Sequence, residues 1–219
     1  MTIKAVIFDM DGLLIDSEPL WKQAGIDCFN AVGIPVTLED MLALTGIPAP
    51  EIAKAIFQKY NQFPMPTEEM GKKINEYAIN LILEQKPLMK GVKETLEKLT
   101  ALGYKLAIAS ASPRFLLENI TKSCGIFDYF SFISSAAELE YSKPHPMVYL
   151  NAAKNLGIEP NECIGVEDSV VGMTAVKAAS MKCVVIPAPE FKHNPRFSLA
   201  DVQLDSLFEL NEDVINRLN

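Results

Sequence analysis

The stretch Lys4-Ala5-Val6-Ile7-Phe8-Asp9-Met10-Asp11-Gly12-Leu13-Leu14-Ile15-Asp16-Ser17 decides how this chain is read. Its first five residues are short, apolar in the main and partly β-branched, the pattern of a strand buried on both faces of a parallel sheet. Such a strand delivers its carboxyl end to a crevice where ligands bind. Asp9 and Asp11 therefore face a ligand site rather than a core, and two carboxylates so placed suggest metal-assisted chemistry. Alone, an Asp-x-Asp pair is a weak signal, because Asp is frequent in turns. Its weight comes from three further polar clusters that stand in matching positions.

Working outward, strand-like runs recur at Lys4–Phe8, Tyr104–Ala109, Phe130–Ser134, Cys163–Val166 and Lys182–Ile186. Between the later runs, segments from about Gly91 to Leu102, Arg114 to Cys124, Pro146 to Leu156 and Val170 to Ala179 have apolar residues at helical spacing. Alternation of this kind predicts an α/β fold, a Rossmann-like parallel sheet covered by helices. Residues 17–86 break the pattern, with helical periodicity and almost no strand signal. They read as an all-helical insertion, leaving residues 1–16 and 87–219 as the core. Ser17 is the expected N-cap of the first inserted helix, which should stop near Gly33-Ile34-Pro35. Further helices are expected at Leu38–Leu44, Pro50–Tyr60 and Thr67–Glu84, with loops at Gly46–Pro50 and Asn61–Pro66. An insertion that departs after Asp16 and returns near Pro87 is expected above the sheet's carboxyl edge, with hinges at those two crossings.

The second cluster, Ser110-Ala111-Ser112-Pro113, ends one strand and opens a helix. Ser112 is expected as N-cap with Pro113 at the first helical position, leaving backbone N–H groups aimed at an anion such as phosphate. The third is Ser142-Lys143-Pro144-His145-Pro146, whose prolines are expected to hold the backbone extended before a helix. An ammonium there could neutralise a carboxylate and a phosphate oxygen together. His145 reads as structural, since His193 is the one other histidine. In the fourth, Gly165-Val166-Glu167-Asp168-Ser169, a strand runs into two carboxylates. Mg2+ takes oxygen ligands, commonly one or two carboxylates plus substrate phosphate, and Asp9 with Asp168 fits that need. Glu167 is equally accounted for as an acid complementing a helix dipole.

Composition excludes several functions. A net charge of −8, with scattered lysines and Lys72-Lys73 as the one basic pair, argues against nucleic acid. No run approaches the roughly 20 apolar residues a membrane span needs. Cys28, Cys124, Cys163 and Cys183 form no C-x-x-C pair and read as free thiols, which points to the cytoplasm. That charge also gives no long-range attraction for an anionic substrate, so binding must be local. Lys72 and Lys73 could contribute to it, but read more simply as a solvated helix face.

These four clusters, in this order, resemble the haloacid dehalogenase superfamily over nearly the whole chain, and its β-phosphoglucomutase-like subgroup with a helical cap in particular. The motif D-x-D-G-x-x-x-D-S/T is complete at Asp9 to Ser17, and Ser110, Lys143 and Glu167-Asp168 stand at the other three motifs. Asp16-Ser17-Glu18-Pro19-Leu20-Trp21, Ala109 to Pro113, Tyr141 to Pro146 and Pro187-Ala188-Pro189-Glu190 look like bacterial phosphatases of sugar and sugar-alcohol phosphates. The resemblance implies hydrolysis of small phosphates of the hexitol or 2-deoxyglucose 6-phosphate type, and since core and cap within one chain suffice for a closed site, a monomer is expected. It also implies Mg2+, with Mn2+ or Co2+ as substitutes, held by Asp9, Asp11 and Asp168. Asp9 would be nucleophile and Asp11 general acid and base. Ser110, Ala111 and Lys143 would hold the phosphoryl group.

A β-phosphoglucomutase-like mutase is the alternative. Such enzymes place a His in the first cap helix and an Arg in the cap loop, where this chain has Trp21 and the Arg-free run Thr45–Pro50. Trp21 then either contacts substrate or packs the cap. Asp11 and Asp168 disfavour a haloacid dehalogenase, and the full motif set disfavours a silent scaffold.

Overall fold

A computed structural model describes residues 2–44 and 47–219. In chain order the strands and α-helices are β1 (Ala5–Phe8), α1 (Glu18–Ala31), α2 (Leu38–Ala43), α3 (Ala49–Tyr60), α4 (Thr67–Gln85), α5 (Val92–Ala101), β2 (Lys105–Ser110), α6 (Arg114–Ser123), β3 (Phe132–Ser135), α7 (Met147–Leu156), β4 (Cys163–Glu167), α8 (Val170–Ala178), β5 (Lys182–Val185), β6 (Val202–Gln203) and α9 (Glu212–Leu218). The chain divides into two compact units, Met1–Asp16 with Pro87–Asn219, and Ser17–Lys86. Among the described residues no helix is long and apolar enough to cross a membrane.

The first unit is built on one parallel sheet of order β3-β2-β1-β4-β5-β6. β1 is central and buried throughout. From it the chain runs outward to β2 and β3, then crosses back to β4 on the other side, so the strand order reverses at β1. That reversal opens a crevice at the carboxyl ends of β1 and β4. Alternation along the strands sorts side chains by face. Ala5, Ile7, Ala107, Ala109, Cys163, Cys183 and Val185 pack with Val148, Tyr149 and Ala152 of α7 and Met173, Ala175 and Val176 of α8 in one buried cluster. The small residues let the helices approach closely. Gly165 is the extreme case, since a Cβ there would lie 2.4 Å from a methyl of Val176.

After β1 the chain makes a tight turn in which Leu14 and Ile15 N–H both donate to the Met10 carbonyl. Gly12, at φ +83°, makes the left-handed step that residues with a Cβ resist. The turn returns the chain beside residues 87–89, where Asp16 N–H donates to Pro87 O at 2.8 Å and Met89 N–H to Leu14 O at 3.0 Å.

The second unit has its own core of Ala24, Phe29, Ile34, Met41, Ala53, Phe57, Met70 and Ile74, among others. Trp21 packs against this core from within the unit. Phe29 and Phe57 meet edge to face, with centroids 6.0 Å apart. Thr37 and Asp40 form a capping box at α2. Asp40 also accepts hydrogen bonds from Lys59 and Tyr60, and the Lys59 bond above all holds its carboxyl below the usual range. Lys72 and Lys73 lie exposed on α4, ion-paired one turn away with Glu76 and Glu69.

Several expectations need correction. Ser17 occupies the N-cap position of α1, but its hydroxyl makes no capping bond. Helix α3 begins at Ala49, one residue before the expected Pro50, which sits in the first helical turn where its missing N–H costs nothing. The expected loop is thereby shortened, and its Thr45 and Gly46 lie outside the described residues. Strand β6 and helix α9 gave no signal strong enough to be read.

Candidate active site

Parallel register sets the site. Phe8 pairs with Ile108 of β2 and Val166 of β4, and Asp9 N–H donates to Val166 O at 3.0 Å, so Asp9 emerges beside Glu167. Asp9, Glu167 and Asp168 each bring a carboxylate oxygen to within 4.8 Å of the others. Gly12 is part of this geometry, since a Cβ on it would sit 2.3 Å from Asp168 Oδ2.

Lys143 closes the cluster. Its Nζ donates to Asp9 Oδ1 at 2.5 Å and to Glu167 Oε1 at 2.6 Å, with both partners largely buried. The backbone around it is not extended as expected. Ser142 to His145 is a turn closed by His145 N–H on Ser142 O, with a cis Lys143-Pro144 bond. The turn brings the ammonium back onto the strand ends. His145 is structural, its Nδ1 accepting from Met147 N–H and its ring 4.7 Å from that of Tyr141.

Glu167 is not a helix-dipole acid. It ends β4, is almost fully buried, and is held on three sides. Lys143 Nζ and the Tyr149 hydroxyl both donate to Oε1, at 2.6 Å each, while Ser169 Oγ donates to Oε2 at 3.2 Å. Ser169 meanwhile caps α8 by accepting from Gly172 N–H at 3.0 Å. A Cβ at Gly172 would fall 1.9 Å from the Glu167 carboxyl carbon.

Charge in this space is strained toward protonation. Burial first, then repulsion from Glu167, pushes Asp168 up to about 7. Asp9 is raised well above the usual carboxylate range, chiefly by burial, with Glu167 and Asp168 adding and Lys143 opposing. Burial works against the charge of Lys143, but Asp9 and Glu167 outweigh it and raise its pKa. Crowded carboxylates whose ionisation is unfavourable, offering oxygen donors alone, suit a hard divalent cation that restores the missing positive charge.

The second cluster lies at the ends of β2 and β3. Ser110 is buried at the tip of β2, and Ala111 is exposed just beyond it. Ser112 is not the N-cap of α6. Pro113 holds that position, its carbonyl accepting from Leu116 and Leu117 N–H. The Ser112 hydroxyl instead donates to Asp11 Oδ2 at 2.9 Å, and Ser112 N–H donates to Ser110 Oγ at 3.1 Å.

Asp9, Lys143 and Asp168 are thus brought together at one strand edge, while Asp11 is tied to the Ser110–Ser112 segment. Tyr149, Ser135 and Ser169 were missed. Tyr149 had a faint signal, a hydroxyl-bearing aromatic on the apolar face of a helix six residues after Lys143. A 450 Å3 cavity lined by Thr37, Asp40, Lys59 and Tyr60 lies wholly within the second unit, and its Asp, Lys and Tyr side chains are bonded to one another.

Fold and site together define a doubly wound α/β protein that gathers acidic residues and one lysine at the carboxyl edge of its parallel sheet. The chain belongs to the haloacid dehalogenase-like hydrolases, whose family model matches residues 6–186. It is 42% identical over 209 residues to hexitol phosphatase B of Escherichia coli K12, covering 95% of this chain and 94% of that one. It is 29% identical over 182 residues to the fructose-1-phosphate phosphatase YqaB of the same strain, covering 82% and 94%. Among solved structures, β-phosphoglucomutase from Clostridium difficile matches with a TM-score of 0.76 and 29% identity over 99% of this chain and 97% of that one.

Proposed function

We propose that this protein is a Mg2+-dependent phosphatase of small sugar or sugar-alcohol phosphates, working through an aspartyl phosphate on Asp9. The observation that carries the reading is the pairing of Asp9 with Lys143 beside Asp168 at the strand edge. A carboxylate is a poor nucleophile toward a phosphate dianion and needs the charge between them neutralised. Asp9 and Asp168, with the Asp11 carbonyl, would hold the cation, which supplies Lewis-acid stabilisation of the phosphoryl oxygens.

The chain's own residues do the rest. Lys143 holds Asp9 Oδ1, leaving Oδ2 as the attacking atom, and presents its charge to a phosphoryl oxygen. Ser110 Oγ accepts from Ser112 N–H, which turns its own hydrogen outward as a donor to phosphate, with Ala111 N–H as second donor. Asp11 protonates the leaving alkoxide and then takes a proton from the water that attacks the aspartyl phosphate.

The 42% identity to a hexitol phosphatase supports sugar-alcohol phosphates as the substrate class. The likeness to a mutase structure keeps phosphoryl transfer to a second sugar phosphate as the alternative. Trp21, where a mutase of this group has His, lies against the second unit's own apolar core and offers no cation to a distal phosphate.

The test is phosphate release from hexose, hexitol and deoxy-sugar phosphates, with Mg2+ and with chelator. Metal-dependent turnover should fall more than about a thousandfold in Asp9→Asn. No release from any substrate would reject the reading. Conversion of β-glucose 1-phosphate to glucose 6-phosphate with a bisphosphate primer would favour the mutase.

A further inference from the structure

Ser112 spends its polar groups on three separate partners. Its N–H donates to Ser110 Oγ at 3.1 Å, its hydroxyl to Asp11 Oδ2 at 2.9 Å, and its carbonyl accepts from Ser135 Oγ at 2.7 Å. Ser135 is buried at the end of β3, so the carbonyl is anchored to the sheet. The hydroxyl gives nothing to helix α6, which begins on Pro113. Its hydrogen bond goes 101 residues back along the chain to a carboxyl group in the turn after β1.

A carboxyl group that passes a proton must be held in rotation, because a transfer in the transition state needs the acidic atom within hydrogen-bond reach of the leaving oxygen. Asp11 lies in the turn after β1, directly before the left-handed Gly12, and has two side-chain torsions to fix. A donor on Oδ2 restrains both. Oδ2 accepts from Ser112, which restrains the carboxyl's rotation.

We propose that Ser112 is a positioning residue for proton transfer by Asp11, anchored by Ser135 and shared with the phosphate-facing Ser110. The inference rests on the reading of Asp11 as acid and base. In the first half-reaction Asp9 bonds to phosphorus, the bond from phosphorus to the ester oxygen breaks, and the Asp11 proton moves to that oxygen, releasing the alcohol. In the second, water bonds to phosphorus and gives one proton to Asp11, the bond to Asp9 breaks, and inorganic phosphate leaves. Asp11 is then protonated again and Asp9 is free.

Leaving-group dependence separates this role from a structural one. An alkoxide leaving group needs a proton, whereas p-nitrophenolate, being far more acidic, leaves with little help. Ser112→Ala should lower kcat on a hexitol 6-phosphate about 10- to 100-fold, with KM changed less than about threefold. On p-nitrophenyl phosphate its loss should be smaller by about tenfold. Ser112→Thr, which keeps the hydroxyl, should recover most of the alkyl phosphate rate, and Asp11→Asn should show the same asymmetry more strongly. Equal losses on both substrates, a change confined to KM, or no recovery in Ser112→Thr would overturn the proposal. Asymmetry in Asp11→Asn without asymmetry in Ser112→Ala would sink this inference alone. A wild type that cleaves neither ester would sink the phosphatase reading and this inference with it.

Discussion

Lys143 sets the balance of charge at the strand ends. It is the described cation in hydrogen-bond contact with Asp9 and Glu167, and both of those carboxylates are largely buried. Breaking a buried pair by deleting one partner usually costs about 3–5 kcal/mol, because the remaining charge is stranded. Lys143→Met should approach that loss near pH 8 in metal-free protein, and lose less near pH 5, where the stranded Asp9 carboxylate takes up a proton instead. Urea denaturation at the two pH values checks this, and a loss independent of pH would mean the pair is not the source. Asp9, Glu167 and Asp168 were legible in the sequence because they stand at the ends of apolar runs, and Lys143 because it sits in a proline-rich cluster before a helix. Tyr149 was not, since a hydroxyl directed to a carboxylate 18 residues later leaves no periodic trace. Ser112 was assigned to the wrong task for a related reason. A serine before a proline looks like a helix cap, and only the three-dimensional approach of the first turn supplies it with a better acceptor.

At the level of elements, helix α8 is tied to the site through its first turn. Ser169 joins the cap of the helix to the Glu167 carboxylate, and Gly172 leaves the space that this carboxylate fills. Replacing Gly by Ala inside a helix ordinarily gains up to about 1 kcal/mol from propensity. Here the added methyl would overlap Glu167, so Gly172→Ala should instead destabilise by about 1–3 kcal/mol, the usual cost of overpacking. Thermal unfolding of the variant decides the sign, and a raised Tm would show that the carboxylate can move aside. The strands and helices of the first unit could be read within one or two residues because short apolar runs, partly β-branched, alternate with longer segments that carry apolar residues at helical spacing. Strand β6 escaped because two residues have no period. The start of α3 was placed one residue late because Pro50 signals the end of a loop and a first helical turn equally well.

Across the whole molecule, crowded acids make stability depend on pH. Asp168 at about 7, and Asp9 raised in the same direction, bind protons more tightly in the folded than in the unfolded state. Stability therefore falls as pH rises from the unfolded carboxylate range toward 7, and the full penalty stands above it. Groups lowered on folding, such as Asp40 and Asp201, have already made their contribution by about pH 5, so they do not mask the trend. With chelator present, Tm should drop between about pH 5 and 8, and millimolar Mg2+ should oppose the drop most at the upper end, where the carboxylates are ionised and ready to bind. A Tm that rises across that interval without metal would contradict this account. Residues 17–86 were read as an insertion because they show helical periodicity and almost no strand-like runs.

The thiols give the sheet a built-in clock. Cys163 and Cys183 lie wholly buried in adjacent strands, where burial above all pushes each thiol up to about 12, while Cys28 on α1 is only half covered. Alkylating reagents attack the thiolate, so these two sulfurs are chemically silent until the strands part. The rate at which they become modified therefore measures how often the central sheet opens, in unaltered protein and with no probe added to it.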